Sequence, residues 1–465
     1  MEKKTRTFRI LKWFFFLLIA SLIVYNVFYL IGPAFNDSIN VYNDRLNSIK
    51  NTVIRGNIYD RNEVVLATTK NDNNEDMIRS YPYNDVFAHV VGYSEQGGMG
   101  VEKLAETYLL QSHSSLKQQV LQELSADRSV GDNVYTTLDA ELQILAYDLL
   151  GDYNGSIIAM DPTTGQILTM VSKPAFDPND IQSNWTELIM DIEGAPLLNR
   201  STQGLYPPGS TYKIISTAAY LETNAADDFF YFCTGSDYFG NRLIHCYNET
   251  AHGRESLLEA FAHSCNTSYA YLGQQIDLKA FDNLNEKLLF NQPIPSSLPS
   301  SQSQFNLSTK PSDSSLAETI IGQGQTLMTP LHNLLITASI ANGGTLMKPY
   351  LIDHIAAEDG QVIEKFYPKI ENTFFDIETT RTLTDYMVAV VEEGTGSRIS
   401  NDDYISAGKT GSAENDQGDS HAWFVGFAPV QNPKIAIVVL VENGGSGGSV
   451  AAPMAKALFD EYLLN

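Results

Sequence analysis

The first patterned stretch in the chain is an apolar run from Trp13 to Gly32, WFFFLLIASLIVYNVFYLIG. It holds twenty residues without a charge and one strongly polar side chain, Asn26. A helix of that length, rising 1.5 Å per residue, spans roughly 30 Å, the thickness of a bilayer's hydrocarbon core. The run therefore predicts one transmembrane helix over 13–32. Further on the period changes. NVYTTLDAELQILAYDLL reads as a strand running into an amphipathic helix capped by Asp139. From Tyr153, GSIIAMDPTTGQILTMVS sets two alternating apolar runs around Asp161–Gly165, a hairpin pattern. HAWFVGFAPVQNPKIAIVVLVEN repeats it with a turn at Pro429–Pro433. Helical spacing marks QSHSSLKQQVLQELS before the first hairpin, and TYKIISTAAYLETNA, ESLLEAFAHSCNTSYAYLG and TPLHNLLITASIAN between the two. Strands at both ends with helices between predict an α+β domain whose sheet unites the first and last strands. NDNNED (71–76) and Ser296–Ser315 read as loops, and no internal repeat is visible.

This pattern divides the chain into a basic tail (1–12), the apolar span (13–32), a small polar pedestal (33–150) and a larger domain (151–465). The 465 residues suffice for two folded units. Charge orients them. Five of the 30 basic residues fall within 1–12 beside one acid, so that flank is expected in the cytoplasm and everything after Gly32 outside. A cleaved signal peptide or a buried helix is the alternative; the run is longer than a usual signal core and no small-x-small site follows it. The remaining 25 bases against 54 acids leave a net −29, which argues against a partner held through nucleic-acid phosphates. Cys233, Cys246 and Cys265 are too few for a disulfide scaffold and lack the paired spacings of a zinc site, so no metal or cofactor is expected. Cys233 and Cys246 either pair or remain half-buried thiols.

Chemistry concentrates at LYPPGSTYKII, 205–215. Pro207, Pro208 and Gly209 interrupt any preceding helix, so one is expected to start at Ser210, with Lys213 a turn later on the same face. A serine hydroxyl needs a base to become a nucleophile. Lysine serves only when neutral, which requires desolvation and a second cation nearby. Ile214, Ile215, Ala218 and Ala219 supply the burial. Ser-x-x-Lys alone is weak, since Ser114/Lys117 and Ser406/Lys409 repeat it. The ordered set is stronger: Ser264-Cys265-Asn266 follows, then Lys409-Thr410-Gly411-Ser412 just before the last strands. Ser-x-Asn occurs elsewhere at Ser38/Asn40, whereas Lys-Thr-Gly occurs once. Together they form the signature of the active-site serine penicillin-interacting enzymes.

On these motifs, and on RGNIYDRNEVVLA, GMGVEKLAETYLL, IGQGQTLMTPLHN, ANGGTLMKP and GTGSR, the chain resembles a class B penicillin-binding protein over nearly its whole length. Glu63 departs from the family's usual glycine. The resemblance implies a β-lactamase/transpeptidase-like domain, an antiparallel sheet with helices on both faces, carried on the pedestal behind one membrane helix. It also implies D,D-transpeptidation of peptidoglycan stem peptides through a serine acyl-enzyme, and covalent capture of penicillin and other β-lactams. Ser210 is then the nucleophile and Lys213 its base, Ser264 and Asn266 pass a proton to the leaving group and hold the donor amide, and Lys409 is the second cation. Lys409 and Thr410 bind the terminal carboxylate, Gly411 admits the substrate backbone, and the N–H groups of Ser210 and Ser412 form an oxyanion hole. A D,D-carboxypeptidase, a β-lactamase and a non-catalytic β-lactam-binding scaffold are the alternatives. Glycan polymerisation is expected from a partner, by family analogy a SEDS-type polymerase on the anchor and pedestal.

Overall fold

Seven consecutive apolar residues, Ile435–Val441, form the central strand of a five-stranded antiparallel sheet in the computed structural model. The structure describes residues 12–22, 53–71, 77–114, 128–415 and 418–465. The sheet runs Ala407–Ala413, His421–Ala428, Ile435–Val441, Gly155–Met160, Ile167–Lys173. The domain's first strand therefore pairs with its last, Ala436 opposite Met160 and Val441 opposite Gly155. The two-residue period of a strand divides the side chains between two cores. Val438 and Leu440 join Ile158, Met160, Val425 and Phe427 in one; Ile437, Val439 and Val441 join Ile157, Ala159 and Phe424 in the other. Helix Pro330–Ala341 covers the first face, and helices Ala140–Leu150 and Ala451–Leu464 cover the second. With both faces dry, near-continuous apolar strands are the stable choice, each buried Val or Ile contributing about 1.5–3 kcal/mol.

A second, six-stranded sheet belongs mainly to the amino-terminal region: Val362–Lys365, Ile352–Ala356, Asn133–Thr136, Ile58–Tyr59, Val65–Asn71, Met77–Ser80. Its first two strands come from far along the chain, so the polypeptide returns to the pedestal after leaving it. Helix Ala140–Leu150, expected within 33–150, buries Leu142, Ala146 and Leu150 against the large sheet. Asp139 caps it, accepting from Leu142 N–H at 3.1 Å. In the Asp60–Val64 turn, Asp60 Oδ1 accepts from the N–H groups of Asn62 and Val64, both at 2.7 Å, and Glu63 takes a left-handed φ of 64°.

Some expectations need correction, and others fall partly outside the described residues. The α-helix of the Ser-x-x-Lys motif begins at Lys213, because residues Gly209–Tyr212 form a tighter 3-10 turn that carries Ser210. ESLLEAFAHSCNTSYAYLG is two helices, Leu257–Ala262 and Asn266–Gly273, with a break between them. The serine-rich tract ends in a helix, Asp313–Ile320, capped by Ser312. Cys233, Cys246 and Cys265 are free, buried thiols. The helix over 12–22 exposes Trp13, Phe14, Phe16 and Leu17, and among the described residues no helix is long and apolar enough to cross a membrane. The rest of the expected span (23–32), the tail (1–11), Ser38/Asn40, residues 72–76 of the acidic loop, Lys117 and most of the QSHSSLKQQVLQELS helix lie outside the described residues.

Candidate active site

The turn that carries Ser210 is held by close backbone packing. Gly209 has φ 53°, and a Cβ there would lie 2.9 Å from the Ser412 carbonyl oxygen, so glycine lets the turn press against the Lys-Thr-Gly strand. Gly322 supports it from the other side: Gly209 N–H donates to the Gly322 carbonyl at 2.9 Å, and a Cβ on Gly322 would meet the Gly209 carbonyl oxygen at 2.0 Å. Pro207 is tied down by Trp423, whose indole N–H donates to its carbonyl at 3.0 Å. Helix Lys213–Leu221 then runs through the core, with Lys213 fully buried.

Ser264 and Asn266 sit in the break between two helices. Cys265 N–H reaches back to the Ala260 carbonyl and Ser264 N–H to the Phe261 carbonyl, the paired bonds of a Schellman closure. The left-handed position of that motif usually holds glycine; here it holds Ser264, φ 58°. The strained residue is thus one that carries a hydroxyl into the site. Asn266 opens the next helix, its Nδ2 donating to the His245 carbonyl at 2.8 Å.

Two lysines converge on this break. Lys213 Nζ donates to the Ser264 carbonyl and to Asn266 Oδ1, both at 2.7 Å, and lies 3.3 Å from Ser264 Oγ. Lys409 Nζ donates to Ser264 Oγ at 2.9 Å and to the Thr410 carbonyl at 3.2 Å. Both lysines are 0% exposed, and among the described residues neither forms an ion pair. Burial pulls the Lys213 ammonium down to about 8. Burial and the charge of Lys213 hold Lys409 well below the ordinary ammonium range. Thr410 Oγ1 pairs with Thr395 Oγ1 at 2.6 Å, which anchors the GTGSR segment beside the strand.

These groups border an open cleft of about 530 Å³ lined by Ser210, Asn266 and Ser412, together with Arg242, Ile244, His245, Glu318, Gln323 and Glu414. Ser210, Lys213, Ser264, Asn266, Lys409, Thr410 and Ser412 are thereby brought into one neighbourhood. Gly411 lies between the turn and Trp423, its hypothetical Cβ 3.1 Å from Thr211 Cγ2 and 3.2 Å from Trp423 Cβ. Among the described residues Ser210 Oγ has no hydrogen-bond partner, and Lys213 spends its donors on Ser264 and Asn266 instead. His421 is occupied structurally, its Nδ1 accepting from Asn443 N–H at 3.1 Å and its ring edge-on to Tyr206. Arg242, His245 and Glu318 carried no motif; the first two arrive on a hairpin, Ser236–Phe239 with Arg242–His245, that the apolar pattern does not reveal.

A serine on a tight turn, two buried lysines meeting at a second serine, and a strand edge beside them define an active-site serine acyl-transfer fold. The comparisons narrow this. Residues 155–460 match the penicillin-binding protein transpeptidase domain, and residues 55–134 match the penicillin-binding protein A dimerisation domain. The chain belongs to the penicillin-binding protein transpeptidase family, in its class B branch. It is 32% identical over 432 residues to a Mycolicibacterium smegmatis protein named peptidoglycan D,D-transpeptidase PbpA, covering 87% of this chain and 88% of that one. Against the Acinetobacter baumannii peptidoglycan D,D-transpeptidase MrdA the identity is 31% over 453 residues, with 83% and 66% covered. The ceftriaxone acyl-enzyme structure of penicillin-binding protein A from M. tuberculosis superposes with a TM-score of 0.82 at 29% identity, covering 90% of this chain and all of that one.

Proposed function

We infer that this chain is a serine-type peptidoglycan D,D-transpeptidase that joins stem peptides through an acyl-enzyme on Ser210, and that β-lactams acylate the same serine. The observation that carries this is the meeting of two buried lysines at Ser264, neither of them ion-paired to a carboxylate among the described residues. Two ammonium ions cannot both be sustained there, so the pair gives up a proton readily. Two of the Lys213 contacts are with carbonyl-type oxygens, which use the two N–H groups of a neutral amine and leave its lone pair free for a hydroxyl.

In the reading proposed, the donor's terminal carboxylate binds Lys409 and the Thr410 hydroxyl and draws the remaining positive charge to Lys409. Lys213 takes the Ser210 proton as Oγ attacks the carbonyl carbon of the penultimate D-Ala. The oxyanion lies against the N–H groups of Ser210 and Ser412, each donor worth roughly 2.7–4 kcal/mol. The C–N bond breaks, and the departing D-Ala amine takes its proton through Ser264, which bridges the two lysines. Asn266 holds the donor amide, and Gly411 lets the substrate backbone lie along the strand. An acceptor amine then attacks the ester, its proton passes to Lys213, and Ser210 is released as the cross-linking amide forms.

The domain plan is part of the same proposal: a basic cytoplasmic tail (1–12), a membrane helix (13–32), a pedestal (33–150) and an external transpeptidase domain (151–465). The uncharged run of twenty residues behind a basic flank supports it. Family analogy supports a SEDS-type polymerase as the partner that supplies glycan strands. Labelled benzylpenicillin tests the chemistry: the intact chain gains one drug mass, mapped to Ser210, and Ser210→Ala gains none. A folded wild-type chain whose mass stays unchanged overturns the assignment.

A further inference from the structure

The central strand of the large sheet ends at Val441, and the next residue, Glu442, carries a carboxylate that the acyl-transfer chemistry does not use. Its Oε1 accepts from Arg200 Nε at 2.7 Å and from the Tyr206 hydroxyl at 2.6 Å. The Glu442 side chain is 17% exposed and that of Arg200 5%, so water competes little for either bond. Arg200 is itself fixed. Its backbone N–H donates to Ser172 Oγ on the edge strand of the sheet at 2.9 Å, and its two Nη groups donate to the carbonyls of Gly194 and Ala195. Hydrogen bonds to an ionised carboxylate are the short, strong kind, and this one holds the tip of Tyr206. Burial first, and the adjacent carboxylate second, push the Tyr206 phenol up, so the hydroxyl remains a donor.

The rest of Tyr206 is held as closely. Its backbone exchanges two hydrogen bonds with Met328, donating to the Met328 carbonyl at 3.0 Å and accepting from the Met328 N–H at 2.8 Å. Its ring lies edge-on to Trp423, with centroids 6.3 Å apart. Trp423 in turn faces two ways. Its indole N–H donates to the carbonyl of Pro207, the residue after Tyr206, and its backbone stands opposite Gly411 in the strand pairing. One buried side chain thus links the turn that carries Ser210 to the strand that carries Ser412. The N–H groups of those two serines are the donors proposed for the oxyanion. Their spacing depends on the indole, and the indole is braced by Tyr206.

We propose that Glu442 is a positioning residue: held by Arg200 and acting through Tyr206 and Trp423, its carboxylate sets the spacing of the Ser210 and Ser412 N–H groups. The inference rests on the acyl-transfer reading. Neither Glu442 nor Tyr206 lines the cleft, so any effect of theirs on the reaction passes through the backbone they brace. An oxyanion hole works only where its donors stand at hydrogen-bond distance from the oxygen in its tetrahedral state. A displacement of about 1 Å there costs on the order of 100-fold in rate. An ion pair that only stabilised the domain would lower its melting temperature and leave the rate of the folded fraction unchanged.

Acylation of the full-length chain by benzylpenicillin, followed over a series of drug concentrations, separates the affinity of the initial complex from the limiting acylation rate. Tyr206→Phe keeps the ring and removes only the hydroxyl. It should lower the limiting rate about tenfold and leave the initial affinity within about twofold. Glu442→Ala should lower the limiting rate by about tenfold to a hundredfold, and the double variant should be no slower than Glu442→Ala, because the hydroxyl acts through the carboxylate. The pH at which the rate levels off should stay at about 8, since Lys213 is untouched. Tyr206→Phe, a single lost hydroxyl, keeps the test valid if Glu442→Ala does not fold. Folded variants with limiting rates within about twofold of wild type overturn the proposal. A double variant whose losses multiply does the same, as does a levelling pH that moves with the rate, which would place the effect in the base. A folded wild-type chain that never acylates ends the acyl-transfer reading and this inference together, whereas variants as fast as an acylating wild type end the inference alone.

Discussion

Buried charge is handled in opposite ways at the two ends of this molecule. In the pedestal, Glu102 is fully buried, and Arg55 Nε and Arg79 Nε each meet its carboxylate at 2.6 Å. Burial pushes the Glu102 carboxyl up, but the two guanidinium groups more than offset it and hold it below the usual carboxylate range. In the catalytic domain Lys213 and Lys409 are equally buried, yet among the described residues neither has an ion-pair partner, and their hydrogen bonds go to neutral oxygens. The first arrangement stabilises a charge and ties Ile54–Gly56, Arg79 and the Gly100–Leu104 helix together. The second destabilises charge and so prepares a base. Burial alone distinguishes nothing; the partner decides.

That contrast breaks most sharply when its parts are removed in turn. Lys213→Ala should lower the acylation rate by at least about 10³-fold, with the thermal midpoint little changed, because the loss is chemical and the penalty of burying an amine disappears with it. Stopped-flow acylation beside a melting curve checks both halves. Glu102→Gln should act in reverse. Leaving two arginines without their carboxylate costs about 3–5 kcal/mol of stability, read as a lower denaturant midpoint, while the fraction still folded acylates at the normal rate. If acylation falls as steeply as stability, the pedestal and site are not separable in the way claimed.

A smaller effect sharpens the picture of the pedestal turn. Glu63 holds a left-handed φ of 64°, a conformation that glycine adopts without a Cβ penalty. Glu63→Gly should stabilise the chain by about 1 kcal/mol, since left-handed backbone costs a residue with a Cβ roughly that much. Equilibrium unfolding in urea is sufficient, and a loss of stability would show that the Glu63 side chain contributes something the backbone strain conceals.

Much of this was legible in sequence for physical reasons. The apolar strands Gly155–Met160 and Ile435–Val441 announce themselves because burial on both faces demands unbroken hydrophobicity. Ser210, Lys213, Ser264, Asn266 and Lys409 stand in short motifs whose spacing follows from one turn, one helix break and one strand. The hairpins between Phe230 and Ser256 were not legible: their outward faces carry exposed Phe230, Phe232 and Tyr238, and no clean alternation marks them. Ser264 in a position that usually takes glycine made a helix break read as continuous helix.

The central claim is that a buried, neutral Lys213 takes the Ser210 proton, and the pH dependence of acylation by benzylpenicillin under second-order conditions tests it most directly. Burial brings Lys213 from its ordinary value down to about 8, so the basic form is the minor species at neutral pH and grows as protons are withdrawn. The rate should therefore climb close to tenfold per pH unit below that value and level off above it. A rate that stays flat from about pH 6 to 9, or falls as pH rises, contradicts the account.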